Sequence, residues 1–162
     1  MKIYKFYDWN LTDDEESSLD EEAYQKLIKF CCDICEVVSF IIIKPSICSK
    51  KIQESLKKFS ILHPKNITYK FRYYNINGEW NGISAVQYYR VCPELCQLLL
   101  TSASSIFDWI GYTYPEDPTF YRNDGSVFFT STTHEGLLTL MPREDEDVSD
   151  IISYTGWIDE TF

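Results

Sequence analysis

His134 and Glu135 close a β-branched and aromatic run, Ser126–Thr133, so an imidazole stands beside a carboxylate at the end of a strand. That pairing suits general acid–base work, with the carboxylate orienting the ring. Ser131 and Thr133 are the nearest hydroxyls, yet neighbouring residues of a strand point to opposite faces. Arg122 sits earlier in the same segment and suits an anionic group, with His134 moving a proton. The competing reading of His134-Glu135 is a polar turn into Gly136, and we favour it.

Glu116-Asp117 and Asp124 flank one hairpin and can gather into a cation site, although the regular ligand spacing of a calcium loop is missing. Asp and Asn favour caps and turns, which is the simpler reading. Four thiols, Cys32 and Cys35 in a Cys-x-x-Cys and Cys92 and Cys96 in a Cys-x3-Cys, match the tetrahedral ligand count of zinc. Both pairs fall on or at the starts of helical patterns rather than in glycine-rich turns, and cysteine packs as a small hydrophobe. We read them as core, with no metal and no cofactor. A redox role needs the Cys-x-x-Cys at a helix start, whereas Cys32 sits inside one.

The elements that must carry these residues follow from periodicity. Lys2–Tyr7 alternates as a short edge strand. Ser18 with Glu21 matches a capping box before Ala23, Leu27, Phe30, Cys31 and Ile34, which recur at helical spacing and predict a helix over about 19–35. Val37–Ile43 predicts a buried strand. Ser49–Phe59 predicts a second helix, its apolar face Ile52, Leu56 and Phe59, its other side lysine-rich. Residues 66–76 alternate as a strand into Asn77-Gly78, a preferred hairpin turn, with a return arm running into 85–91. Pro93 opens a helix continued by Leu95, Leu98, Leu99, Ile106 and Trp109 to about Ile110. Residues 112–118 read as loop, 119–122 and 126–133 as a hairpin around Asn123-Asp124-Gly125, 136–141 as a further strand and 148–154 as a short helix. Mixed order with hairpins predicts an α+β fold, about three helices packed on a mainly antiparallel sheet, in a single domain spanning 1–162.

Charge is placed unevenly. The net is −6 over residues 1–40, +7 over 44–72 and −11 over 73–162, within a total of −10. A pI of about 4.6 argues against nucleic acid, whose binding draws on basic side chains at phosphates, and against anionic membranes. The basic stripe, Lys44 to Arg72, reads as a match for the chain's own acidic segments or those of a second copy. The N-terminus lacks a long apolar stretch and the longest apolar run is too short to span a bilayer, so we expect a cytoplasmic protein with reduced thiols.

From Pro115 through Phe120, Arg122, Asp124-Gly125 and the strand to His134-Glu135, the chain resembles a group of small bacterial proteins of unknown role, some labelled stage III sporulation protein AH. The likeness covers about residues 115–140. It implies a bacterial source and marks Phe120, Arg122, Asp124, Gly125, His134 and Glu135 for testing, but it brings no activity with it. A structural hairpin would account for the same residues.

These observations point first to a non-enzymatic acidic binding module, such as an immunity or inhibitor protein for a basic protein partner. Its contacts would be Glu144, Asp145, Glu146 and Asp147, with Asp124 near them and Trp80 and Trp157 as aromatic anchors. The alternative is a small ligand-binding or hydrolase domain using His134 with Glu135, Asp124 and Arg122.

Overall fold

The computed structural model describes residues 1–8, 19–43, 47–67, 75–76, 79–80, 85–110, 113–154 and 156–162, with 75–76, 79–80 and 85 described in backbone alone. Along the chain, strand β1 (Tyr4–Tyr7) is followed by helix α1 (Glu21–Ile34), β2 (Val37–Ile42), α2 (Lys50–Lys57) and β3 (Ser60–Ile61). A small hairpin, β4 (Asn75–Ile76) and β5 (Glu79–Trp80), precedes β6 (Ala85–Arg90) and α3 (Pro93–Ser102). The chain then forms β7 (Glu116–Tyr121), β8 (Val127–Thr132), β9 (Leu137–Leu140), α4 (Ser149–Ile152) and β10 (Trp157–Asp159). Eight strands make one sheet in the order β10-β1-β9-β8-β7-β2-β6-β3, and every described pairing is antiparallel. The architecture is the expected α+β.

Alternation along the strands divides the sheet's two faces. Val38 and Phe40 of β2, Tyr89 of β6, Phe120 of β7, Phe129 of β8 and Leu138 and Leu140 of β9 join α1, α2, α3 and α4 in one core. Trp109 is its largest fully buried side chain. The Trp109 indole N–H donates to the Tyr24 hydroxyl at 2.9 Å, and that hydroxyl donates to the Leu99 carbonyl at 2.6 Å, linking α1 to α3. The opposite face holds a smaller cluster of Ile67, Tyr88 and Tyr121. Strand β7 is buried along its whole length because both faces are covered.

Several expectations are corrected. Strand β1 is not an edge; it lies between β9 and β10, and β10 itself has no counterpart in the sequence reading. The cap of α1 is Asp20, which accepts from the Ala23 N–H at 2.9 Å, while Ser18 lies outside the described residues. Helix α3 ends at Ser102 rather than near Ile110. There Ser105 and Asp108 form a capping box on a new 3-10 turn, Ile106–Asp108, whose polar side chains satisfy backbone N–H groups and stop the helix continuing. The Asn77-Gly78 turn and most of 66–74 lie outside the described residues, though β4 pairs β5 in the two-residue register expected. Among the described residues no helix is long and apolar enough to cross a membrane.

The turn between β7 and β8 depends on Gly125. Its φ is +82°, and a Cβ there would sit 2.3 Å from the Asn66 carbonyl oxygen. Gly125→Ala is therefore expected to cost about 1–3 kcal/mol through left-handed strain and displaced backbone. Urea denaturation checks this; an unchanged midpoint would contradict it.

Candidate functional site at the two ends of a hairpin

The β7–β8 hairpin carries nearly all the residues that the sequence singles out, but it distributes them to opposite ends. Six-residue strands run roughly 17–20 Å. Arg122 and Asp124 lie at the turn; Glu116, Asp117 and His134 lie at the open end. The fold thus separates Arg122 from His134, and the pocket expected to use both is not what this hairpin builds.

At the turn, the buried Arg122 guanidinium is spent within the protein. Its Nε donates to Glu146 Oε1 at 2.7 Å and its Nη2 to Glu146 Oε2 at 2.5 Å and the Met141 carbonyl at 2.8 Å. Its Nη1 donates to the Val127 carbonyl at 2.9 Å and Ser126 Oγ at 3.2 Å. Five donors meet five acceptors, the full capacity of the group. Asp124 accepts from the Ser126 N–H and hydroxyl and pairs with Arg143, and these bonds, those from Ser126 foremost, hold its carboxyl far below the usual carboxylate range. Burial works to raise the Glu146 carboxyl, but hydrogen bonds from Arg122 and from the Arg143 backbone outweigh it and leave it below its ordinary value. Two members of the expected acidic surface, Asp124 and Glu146, are thus structural. Glu144, Asp145, Asp147 and Asp150 remain exposed beside them.

At the open end a bulge changes the strand's geometry. Ser39 faces Thr119 and Ile41 faces Glu116, so Phe40 alone is opposed by Asp117 and Pro118. Asp117 takes a φ of +55°, which aspartate tolerates better than most residues. Such an extra residue re-aims side chains. As a result the consecutive carboxylates of Glu116 and Asp117, both buried, converge with His134: one oxygen of each and one ring nitrogen lie within 4.8 Å of one another. His134 Nδ1 is 3.2 Å from Glu116 Oε1, and Nε2 faces Glu135 Oε1 at 3.7 Å. The Thr133 N–H donates to Asp117 Oδ1 at 2.7 Å. The Thr133 hydroxyl is 3.0 Å from that oxygen and 2.7 Å from the Trp109 carbonyl, so its single proton is shared between them. The Ser131 hydroxyl, the other nucleophile considered, donates to the Pro118 carbonyl at 2.9 Å.

Sequence reading missed that Glu116, not the adjacent Glu135 alone, is the carboxylate against His134. The cue was the pair of prolines at 115 and 118 around two acids, which read as loop. Among the described residues this cluster is the one place where three His, Cys, Asp or Glu ligand atoms gather. The cysteines do not. Cys32 on α1 hydrogen-bonds Cys96 on α3, and burial first, then that bond, pushes the Cys32 thiol far up. Cys35 lies near Arg122 and Glu146, its thiol pushed up to about 12 by burial. Cys92 caps α3 and contacts Glu94. Thiols raised in this way, as Cys32 and Cys35 are, make poor ligands and poor nucleophiles. Trp157 is half-buried against Phe6, ring centroids 5.7 Å apart, and the Trp80 side chain lies outside the described residues.

Comparison with protein-family models, with curated proteins and with solved structures finds no match. In the structure Phe120 is core, Arg122 and Asp124 brace the turn, Gly125 permits it, and His134 meets Glu116.

Proposed function

We propose that the chain is a non-enzymatic binding protein that presents acidic residues to a basic protein partner, as an inhibitor or immunity protein does. The observation that carries this reading is the brace beneath the acidic run. Arg122–Glu146 and Arg143–Asp124 tie the loop after β9 to the β7–β8 turn, and Glu146 Oε2 also accepts from the Arg143 N–H at 2.8 Å. Glu144 and Asp145 project from a loop fixed on both sides, and Asp147 is held by the Ser149 N–H at 3.0 Å. A surface ordered before encounter loses less entropy on binding. Unscreened negative charge there speeds association with a positive surface and sets its orientation.

The test is capture of a stoichiometric basic partner from the native host, followed by association kinetics with Glu144→Lys/Asp145→Lys. The double variant is expected to slow association about 10–100-fold at low salt, with the difference collapsing as salt rises. Unchanged kinetics at low salt, or binding indifferent to salt, would overturn the reading. His134→Ala is expected to leave such a complex intact.

A further inference from the structure

We propose that Glu116, Asp117 and His134 form a binding site for a divalent first-row transition-metal ion of the zinc class. This goes beyond the acidic-surface reading and does not depend on it, since it uses the other end of the hairpin.

The donor set selects the ion. One imidazole nitrogen with two carboxylate oxygens suits zinc and its neighbours, whereas calcium and magnesium favour all-oxygen shells. Three protein ligands with one position left to water is the arrangement of open zinc sites. His134 is partly exposed while both carboxylates are buried, so the fourth position would face solvent. Ligands on a tetrahedral zinc lie roughly 3.3–3.5 Å apart, given bonds of about 2.0–2.2 Å. The Nδ1–Oε1 separation of 3.2 Å already matches that spacing, and a side-chain movement of order 1 Å brings in the rest of the set, now within 4.8 Å. Formally two negative charges would be balanced by the ion.

The surroundings also fit. Metal-bound histidines commonly turn their second ring nitrogen to a carboxylate, which fixes the tautomer and raises basicity. Glu135 stands there, facing Nε2 while Nδ1 is directed at Glu116. Asp117 is oriented by the Thr133 N–H, and Thr133 is anchored in turn to the Trp109 carbonyl. The left-handed backbone at Asp117 is an outlier of the kind that persists where geometry is over-determined, and it is what turns two consecutive carboxylates to one place.

The experiment titrates chelator-stripped full-length protein with ZnCl2, and with CoCl2 as a spectroscopic probe, against MgCl2. One Zn2+ or Co2+ per chain is expected, with visible d–d absorption for Co2+. At metal 100-fold above Kd the melting temperature should rise by about 5–10 °C, with no comparable shift for Mg2+. His134→Ala, at a partly exposed position, should weaken binding at least about 100-fold while remaining folded by circular dichroism. Asp117→Asn and Glu116→Gln should weaken it as well. Cys32→Ser/Cys96→Ser should leave it unchanged. Absence of saturable binding to the wild type would overturn the proposal. So would binding that survives both His134→Ala and Glu116→Gln, binding lost with the two thiols, or equal preference for Mg2+.

Discussion

Arg122→Ala is expected to destabilise the protein by about 3–5 kcal/mol, the usual result of stripping one partner from a buried ion pair. The side chains of Arg122 and Glu146 are only 5% and 11% exposed. Removing the guanidinium leaves a carboxylate in a low-dielectric setting and deprives the Val127 and Met141 carbonyls of donors. Global stability of a domain is typically only about 5–15 kcal/mol, so the loss is a large share. For a chain of this size it corresponds to a melting temperature lower by roughly 10 °C. Replacing both partners, as Arg122→Met/Glu146→Leu, should recover most of it, because neither charge is then stranded. Urea denaturation at neutral pH measures both variants; a single-variant loss under about 1 kcal/mol would contradict the structure. The pair also sets an acid limit. The folded-state pKa of Glu146 is depressed, so its contribution is full above the ordinary carboxylate pKa and is lost as pH falls through the lowered value. In Glu146→Gln the acid arm of the stability profile should flatten below about pH 4.5. The same variant tests the binding proposal from beneath, since it loosens the loop without altering Glu144 or Asp145.

Trp109→Ala carries the second large effect, also about 3–5 kcal/mol. The ring is 1% exposed and packs on Phe40 at a centroid distance of 5.0 Å and on Tyr114 at 5.5 Å. Its deletion opens a cavity and leaves the Tyr24 hydroxyl without the indole donor. Trp109→Phe separates these contributions: it keeps most of the packing and removes the hydrogen bond, with an expected loss of about 1–3 kcal/mol. The cavity would also let the Trp109 backbone shift, and its carbonyl holds Thr133, which holds Asp117. If metal binds as proposed, Trp109→Ala should weaken it in a protein that is still folded at low temperature. Calorimetric titration beside the denaturation curve resolves the two effects.

The elements most readable from sequence are those built by local pattern. Ala23, Leu27 and Cys31 at helical spacing place α1, and the β-branched run from Val37 places β2 within a residue of its observed end. Less readable are features decided by distant partners or by a break in period. β1 reads as an edge because alternation says nothing of neighbours, and its neighbours are β9 and β10. At the site, the prolines mislead. Pro115 and Pro118 make residues 112–118 read as loop, yet Glu116 and Asp117 belong to β7, and the bulge against Phe40 sends their carboxylates together. Arg122 illustrates the converse. An arginine near a histidine in sequence suggests substrate binding, but five acceptors inside the fold claim it.

The position of β1 bears on how this chain folds. Its flanking strands, β9 and β10, come from the far end of the sequence, and the Ile3 N–H reaches a hydroxyl on Thr161. β1 has no partner in this sheet until β9 and β10, more than a hundred residues along, are available. The hairpin of β7 and β8 can zip up locally, but β9 and β10 are joined into one sheet only when β1 inserts between them. Completing the sheet therefore requires closing a loop of more than a hundred residues, a topology that favours slow folding. Until then Tyr4 and Phe6, which the finished sheet buries, are open to chaperones and to one another's copies.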